Sequence, residues 1–168
     1  MIVRKVEKHI INRNHKHFSM LMNKCHEAKN IYNHANYLIR QEFINHSNWL
    51  RYEDIEKLLH NDLEYPDYWN WNLANSSQQV LRVLDKNWKS FFKSIKDWKE
   101  NPEKYTGRPK LPKYLPKNGY KEFYLTTNQA RLKKDGLIHF SKIYEWFLYK
   151  TKIYRIYLRN FSTSENNS

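Results

Sequence analysis

Five cationic side chains recur at helical spacing in the middle of the sequence, and their chemistry suits phosphate groups. They are separated by four, three, four and three positions: Arg82, Lys86, Lys89, Lys93 and Lys96. At about 100° per residue, this spacing places all five on one face of a helix. Lys and Arg neutralise phosphates and displace the counterions that surround nucleic acid. A solvated face is the ordinary alternative, but like charges four residues apart repel each other mildly, so we expect these side chains to contact phosphates.

A second group of cations lies in a basic, proline-rich linker, residues 101–121. Six of its residues are Lys or Arg, and Arg108, Lys110 and Lys113 stand among its prolines. The residue before a proline is biased away from helical backbone, so the linker should follow an extended path. An extended basic segment can run along a nucleic-acid backbone. We expect these three cations to contact nucleic acid as well.

No set of side chains suggests catalysis or metal binding. Cys25 is the only cysteine, which excludes a disulfide or a cysteine-rich zinc site within the chain. The His15–His17 segment invites comparison with the paired histidines of single-strand transposases, but its middle residue is Lys rather than apolar, and an exposed turn is the better interpretation. Three acids are best interpreted as solvated: Asp54, Glu56 and Asp62. We predict no catalytic residue, no metal and no cofactor.

The net charge indicates the class of partner. The chain has 168 residues with 30 Lys and Arg against 17 Asp and Glu, a formal charge of +13. A domain this basic repels itself unless it meets a polyanion, and nucleic acid is the default. An anionic membrane is the other candidate, but no apolar run approaches the roughly 20 residues that span a bilayer. Residues 1–10 lack the apolar region of a signal peptide, so we expect a cytoplasmic protein, with a monomer favoured.

The apolar residues predict the helices that position these cations. A first helix is expected from an N-cap at Ser19 to about residue 45, with one apolar stripe: Leu21, Cys25, Ala28, Tyr32, Ala35 and Ile39. A short helix covers Tyr52–Leu59. The third helix should begin after the capping box of Ser76 and Gln79 and end before Pro102. Its apolar face lies opposite the cations: Val80, Leu84, Trp88, Phe91, Phe92 and Ile95.

Strands are predicted on both sides of the helices. Residues 2–11 mix β-branched and charged residues, and residues 122–126, 130–133 and 137–140 are strand-like as well. The Asp-Gly pair at 135–136 is a strong hairpin signal. We predict an α+β fold, a small antiparallel β-barrel interrupted by an inserted helical bundle. The predicted segments are a first strand (1–14), a helical domain (15–100), the basic linker (101–121), the remaining strands (122–153) and a disordered tail (154–168).

Four sequence blocks, in this order, resemble the N-terminal part of TnpB-type proteins, which are transposon-encoded RNA-guided DNA endonucleases. The blocks are Val6–Ile11, Lys29–Asn33, Gln79–Phe92 and Gly107–Tyr114. The resemblance implies a wedge β-barrel interrupted by a helical recognition domain, which binds a structured guide RNA and double-stranded DNA carrying a target-adjacent motif. The family's RuvC-like nuclease and zinc motif correspond to no residue here. Residues 154–168 depart from the family, so we expect a chain truncated before the RuvC domain.

The resemblance also implies a second set of site residues. Tyr52, Gln78, Thr126 and Asn128 fall where the family lines its motif-reading groove, and such polar groups can bond to base edges or phosphates. Helix caps and turns are the ordinary alternatives. The expected function is therefore a nucleic-acid-binding module without catalysis. A stand-alone DNA-binding regulator derived from such a protein and a non-functional remnant stay open as alternatives.

Overall fold

A computed structural model describes residues 10–61, 68, 74–126, 128–134, 137–140 and 148–150. The chain divides into two compact units. We call Met20–Tyr124 the helical unit, and Met1–Ser19 together with Leu125–Ser168 the terminal unit. Most of the predicted first strand and the whole predicted tail lie outside the described residues.

The described residues are mostly helical. They form α1 (Phe18–His46), α2 (Tyr52–Asn61) and α3 (Ala74–Glu100), and a single 3₁₀ turn, Pro102–Lys104, follows α3. The expected end of α3 before Pro102 is confirmed. Both expected starts are wrong, because Ser19 and Ser76 lie inside their helices rather than before them. The hydroxyl of Ser76 is buried and donates to the carbonyl of Tyr124 at 2.7 Å.

The C-terminus of α1 closes with a residue in the left-handed region. Ser47 has a φ of 54°, and its N–H donates to the carbonyl of Phe43 at 3.0 Å. This bond satisfies one of the carbonyls that a helix end leaves without an intrahelical partner. Glycine is the usual residue at such a position, so a serine here carries a backbone cost.

The three helices bury one apolar core. The predicted stripe of α1 is confirmed for Ala28, Tyr32, Ala35 and Ile39, which are buried. Leu21 and Cys25, nearer the start of α1, are half-buried. The other helices contribute these core residues: Ile55 and Leu59 from α2, and Val80, Leu81, Leu84 and Trp88 from α3. In α2, Leu58 was expected beside Ile55 and Leu59, but it is exposed.

Aromatic rings extend this core along α3. Phe91, Phe92 and Ile95 of the predicted apolar face are half-buried rather than buried. The ring of Phe43 lies 5.6 Å from that of Trp88 and 5.4 Å from that of Phe92, and both pairs meet edge to face. Aromatic pairs in this arrangement stabilise a core beyond the area that they bury. The middle of α3 is therefore fixed against the end of α1.

The strands of the terminal unit form an open sheet. β1 (Ala130–Leu132), β2 (Leu137–Phe140) and β3 (Leu148–Lys150) pair antiparallel in the order β1-β2-β3. Leu132 pairs with Ile138, and Ala130 pairs with Phe140. β2 has the predicted bounds, and its pairing with β1 confirms the hairpin.

The prediction of a small β-barrel is wrong. In the part of the chain that the structure describes, β1 and β3 are free edges of a three-stranded sheet, and no barrel closes. Residues 122–126, expected as a strand, have neither strand nor helix structure. Tyr124 in this segment uses its carbonyl to accept a bond from a helix side chain, not from a neighbouring strand. The strand-like composition of residues 122–126 therefore does not correspond to a β-strand.

Candidate nucleic-acid interface

The α3 cations do not all have the same surroundings. Lys86, Lys89, Lys93 and Lys96 are exposed, and we call them the lysine row. Arg82, the first of the five predicted cations, is half-buried, with its guanidinium 4.2 Å from the ring centre of Tyr52. A cation held over an aromatic face is attracted by the ring and partly withdrawn from water. Arg82 therefore joins α3 to α2, and the four lysines form the solvent face.

One buried acid lies next to the lysine row. Asp85 is buried and forms ion pairs with Nζ of Lys89 at 2.6 Å and Nε of Arg51 at 3.4 Å. The same Arg51 guanidinium lies 4.4 Å from the ring centre of Trp49. A buried carboxylate needs such partners, since losing one leaves an uncompensated charge. Lys89 is therefore exposed to solvent and is also paired with the buried carboxylate of Asp85.

The turn after α3 is organised by Asp97. Its carboxylate accepts bonds from the hydroxyl of Tyr105 at 2.6 Å and from the side-chain amide of Asn101 at 2.9 Å. The bond from Tyr105 is the largest cause that lowers the pKa of Asp97, and the charges of Lys104 and Lys93 also lower it. This carboxylate holds the 3₁₀ turn and the start of the basic linker against the last turns of α3.

A ladder of α1 side chains holds the basic linker. Its members follow one another at spacings of three, four, three and four, and each bonds to a linker carbonyl: His26, Lys29, Asn33, Asn36 and Arg40. The ladder meets Gly119, Lys117 and Leu115, and its last two members both reach Pro112. As α1 advances, the linker residues run backward, so the linker lies antiparallel to the helix.

Two members of the ladder make more than one bond. The amide of Asn33 donates to the carbonyl of Leu115 at 2.9 Å and accepts from its N–H at 2.8 Å. The guanidinium of Arg40 donates to Pro112 at 3.3 Å and lies 4.8 Å from the ring centre of Tyr114. These side chains therefore satisfy backbone groups of the linker, which among the described residues has no neighbouring strand or helical turn to bond to them.

The linker also contains a tight turn that only glycine fits. The N–H of Gly119 donates to the carbonyl of Pro116 at 2.9 Å. A Cβ atom at Gly119 would lie 2.8 Å from Cγ of Pro116, closer than carbon atoms pack. The turn brings the end of the linker back to α1, where the N–H of Lys121 donates to the carbonyl of Cys25 at 3.0 Å.

The ladder leaves the linker cations exposed to solvent. The carbonyls that bond to the ladder face α1, and Arg108, Lys110, Lys113 and Lys117 are all exposed. From residue 104 to 121 the sequence contains six Lys and Arg and no acid. Lys121, in contrast, is buried, and its Nζ lies 5.2 Å from the ring centre of Tyr32. Lys113 and Lys117 therefore lie on the stretch that the ladder bonds, while Arg108 and Lys110 precede it.

The four residues predicted to read a motif have different surroundings. Tyr52 is half-buried under Arg82, and burial is the main cause that raises its pKa. Gln78 is half-buried in the first turns of α3. Thr126 and Asn128 belong to the terminal unit. There the N–H and hydroxyl of Thr126 donate to the Gln129 side chain at 3.1 and 3.2 Å, while Asn128 is exposed. A common groove stays a prediction.

Sequence reasoning missed the ladder of α1. Amide and histidine side chains at helical spacing are normally interpreted as the solvent-exposed face of a helix. The available signal was their regular spacing beside the apolar stripe, together with a downstream proline-rich segment whose carbonyls need donors.

No protein-family model, no curated protein and no solved structure matches this chain. Among the residues that the structure describes, no helix is both long and apolar enough to cross a membrane. The same residues contain no group of three or more His, Cys, Asp or Glu side chains that could hold a metal ion.

Proposed function

We propose that this chain binds nucleic acid through the lysine row of α3 and the exposed cations of the basic linker. The observation that carries the proposal is that eight cations of the helical unit are exposed on α3 and the basic linker: Lys86, Lys89, Lys93, Lys96, Arg108, Lys110, Lys113 and Lys117. Buried Trp88 and half-buried Phe92 pack the middle of α3 against Phe43 of α1, and the ladder bonds the linker from Pro112 to Gly119. Cations that are already in place bind a polyanion without the entropic cost of ordering their backbone.

The geometry of the lysine row suits a phosphate backbone. Lys86 and Lys96 are ten residues apart, a rise of about 15 Å along the helix axis. Double-stranded DNA carries one charge per about 1.7 Å of axis, so a row of this length meets several phosphates. A scattered set of lysines on flexible loops would lack this regular presentation.

In the fuller form of the proposal, the chain is the guide-RNA- and target-DNA-binding part of a TnpB-type protein, and it does not cut DNA itself. Four sequence blocks in the family's order support this relationship. Two of them, Lys29–Asn33 and Gly107–Tyr114, belong to the ladder and to the linker that the ladder holds. The wedge barrel that the relationship implies is not among the described residues, so this form rests on the blocks and the exposed cations.

Fluorescence polarisation with a labelled RNA hairpin and a labelled DNA duplex tests the binding proposal. Five to eight phosphate contacts should give a log–log dependence of the association constant on salt with a slope of about −4 to −7. An affinity that does not change between roughly 50 and 200 mM salt would contradict the electrostatic interface. Guide-directed plasmid cleavage by the purified chain, abolished by EDTA, would contradict the assignment of binding without catalysis.

A further inference from the structure

Two exposed tyrosines lie among the linker cations. Tyr114 is 44% exposed and Tyr120 is 65% exposed, although large aromatic side chains usually bury most of their surface. Lys113 precedes Tyr114 directly, and Lys117 lies between the two tyrosines in the sequence. The linker therefore presents aromatic faces and positive charges from the same segment.

The ladder holds the backbone beside both tyrosines. Leu115, next to Tyr114, is bonded through both its N–H and its carbonyl to Asn33, and Gly119, next to Tyr120, is bonded through its carbonyl to His26. The Arg40 guanidinium, 4.8 Å from the ring centre of Tyr114, supports that ring from α1. A residue whose neighbouring backbone is already held loses less conformational freedom on binding a ligand.

Aromatic rings beside cations suit unpaired nucleotides better than a duplex. In a duplex the base faces are stacked on each other, whereas an unpaired base can stack on a tyrosine while its phosphate meets a lysine. We propose that the basic linker binds single-stranded nucleic acid, with Tyr114 and Tyr120 stacking on bases and Lys110, Lys113 and Lys117 contacting phosphates. The inference rests on the proposed function, because it specifies which form of nucleic acid this part of the interface binds.

The test compares three labelled ligands of equal phosphate number, an oligouridine, an abasic strand and a duplex, in the full chain. The double variant Tyr114→Leu/Tyr120→Leu should bind the oligouridine about a hundredfold more weakly, about tenfold for each stacked base. Its affinity for the abasic strand and the duplex should equal that of the wild type. The salt dependence should not change, because no phosphate contact is lost.

Two control variants separate stacking from other effects. Tyr114→Phe/Tyr120→Phe keeps both rings and should bind the oligouridine within about twofold of the wild type. Tyr37, 50% exposed on α1, lies outside the linker, and Tyr37→Leu should leave every affinity unchanged. If the double Leu variant is less stable by thermal melting, Tyr120→Leu alone should still give a tenfold loss, because Tyr120 is the more exposed ring.

The outcomes distinguish this inference from the proposed function. If the wild-type chain binds neither the oligouridine nor the duplex, the proposed function is wrong. Normal binding of both ligands by the double Leu variant overturns the single-strand inference alone. The single-strand inference is also wrong if a polyglutamate of matched charge competes as strongly as the oligouridine does. The linker would then bind any polyanion.

Discussion

The indole N–H of Trp88 donates to the side-chain oxygen of Asn36 at 3.0 Å, and both residues are fully buried. The amide nitrogen of the same Asn36 donates to the carbonyl of Pro112 at 3.0 Å. One buried side chain therefore connects α1 with α3 on one side and with the basic linker on the other. Since a buried polar group without a partner is costly, this amide couples the position of the linker to the packing of the core.

We predict a favourable coupling energy between Asn36 and Trp88. Asn36→Leu should destabilise the protein by about 1–3 kcal/mol, because the Trp88 N–H loses its acceptor in a buried site. Trp88→Phe removes that donor and leaves a small cavity. In the Asn36→Leu background, Trp88→Phe should therefore cost less than in the wild type, with a coupling energy of about 0.5–3 kcal/mol in urea unfolding.

Asn33 provides the matched control for this cycle. It belongs to the same ladder, but its side chain bonds to Leu115 of the linker rather than to Trp88, and it is only half-buried. Asn33→Leu and Trp88→Phe should therefore be additive within about 0.5 kcal/mol. Additivity of the Asn36 pair as well would show that the buried bond does not couple α1 to α3.

A second prediction concerns the left-handed residue after α1. Because Ser47 has a φ of 54°, Ser47→Gly should raise the free energy of unfolding by about 0.5–1 kcal/mol. Ser90 is exposed inside α3, and Ser90→Gly should lower it by a similar amount, since glycine disfavours helix interiors. Thermal melting of the two variants should show a higher melting temperature for Ser47→Gly and a lower one for Ser90→Gly. Destabilisation by Ser47→Gly would contradict the left-handed conformation at that position.

The helices could be predicted from the sequence because each has its own periodic signal. Ala28, Tyr32, Ala35 and Ile39 recur at helical spacing, and this short-range pattern was enough to identify the buried face of α1. The hairpin was equally local, since an Asp-Gly pair between two strand-like runs specifies its own turn. Such features do not depend on which distant segment packs against them.

The strand predicted at residues 122–126 was wrong and the ladder was missed because both depend on long-range partners. Residues 122–126 have a strand-like composition, yet the Tyr124 carbonyl bonds to Ser76, a residue 48 positions away. Asn33 and Asn36 look like solvated residues until the linker, more than 70 positions later, is placed beside them. A pattern within one segment does not say which of these partners will satisfy its polar groups.

A third prediction concerns pH. The pKa of Asp97 is lowered chiefly by the Tyr105 hydroxyl, so the folded state favours the ionised carboxylate. The resulting stabilisation is fully present above the ordinary value of 3.8 and is lost as the pH falls through the lower folded pKa. Tyr105→Phe should therefore raise the pKa of Asp97 in an NMR titration. It should also lower the melting temperature at pH 7, with a difference that shrinks in acid.

The control for this pair is Asn101→Ala, which removes the amide bond to the same carboxylate. Because that bond is a smaller cause of the lowered pKa, Asn101→Ala should move the pKa of Asp97 upward by less than Tyr105→Phe does. If Asp97 titrates at its ordinary value in the wild type, the turn after α3 is not held by this carboxylate.

The last prediction tests the lysine row directly. Asp85 pairs with Lys89, so replacing Lys89 would disturb a buried carboxylate as well as the surface. A variant that keeps the Lys89–Asp85 pair is Lys86→Gln/Lys93→Gln/Lys96→Gln. It should keep the melting temperature or raise it slightly, because like charges at this spacing repel each other. Its affinity for RNA hairpins and DNA duplexes should fall for every sequence, and the salt slope should flatten by up to about 3 units, one for each lost contact.

Lys57→Gln is the matched control, because Lys57 is equally exposed but lies on α2 next to Glu53, Asp54 and Glu56. Its replacement should leave the salt slope unchanged, because Lys57 is not among the proposed phosphate contacts. Melting and binding must be measured on the same preparations, so that a loss of affinity is not a loss of folded protein. If the triple variant binds as tightly as the wild type with the same slope, the lysine row is a solvated face and the interface must be sought among the other cations of the chain.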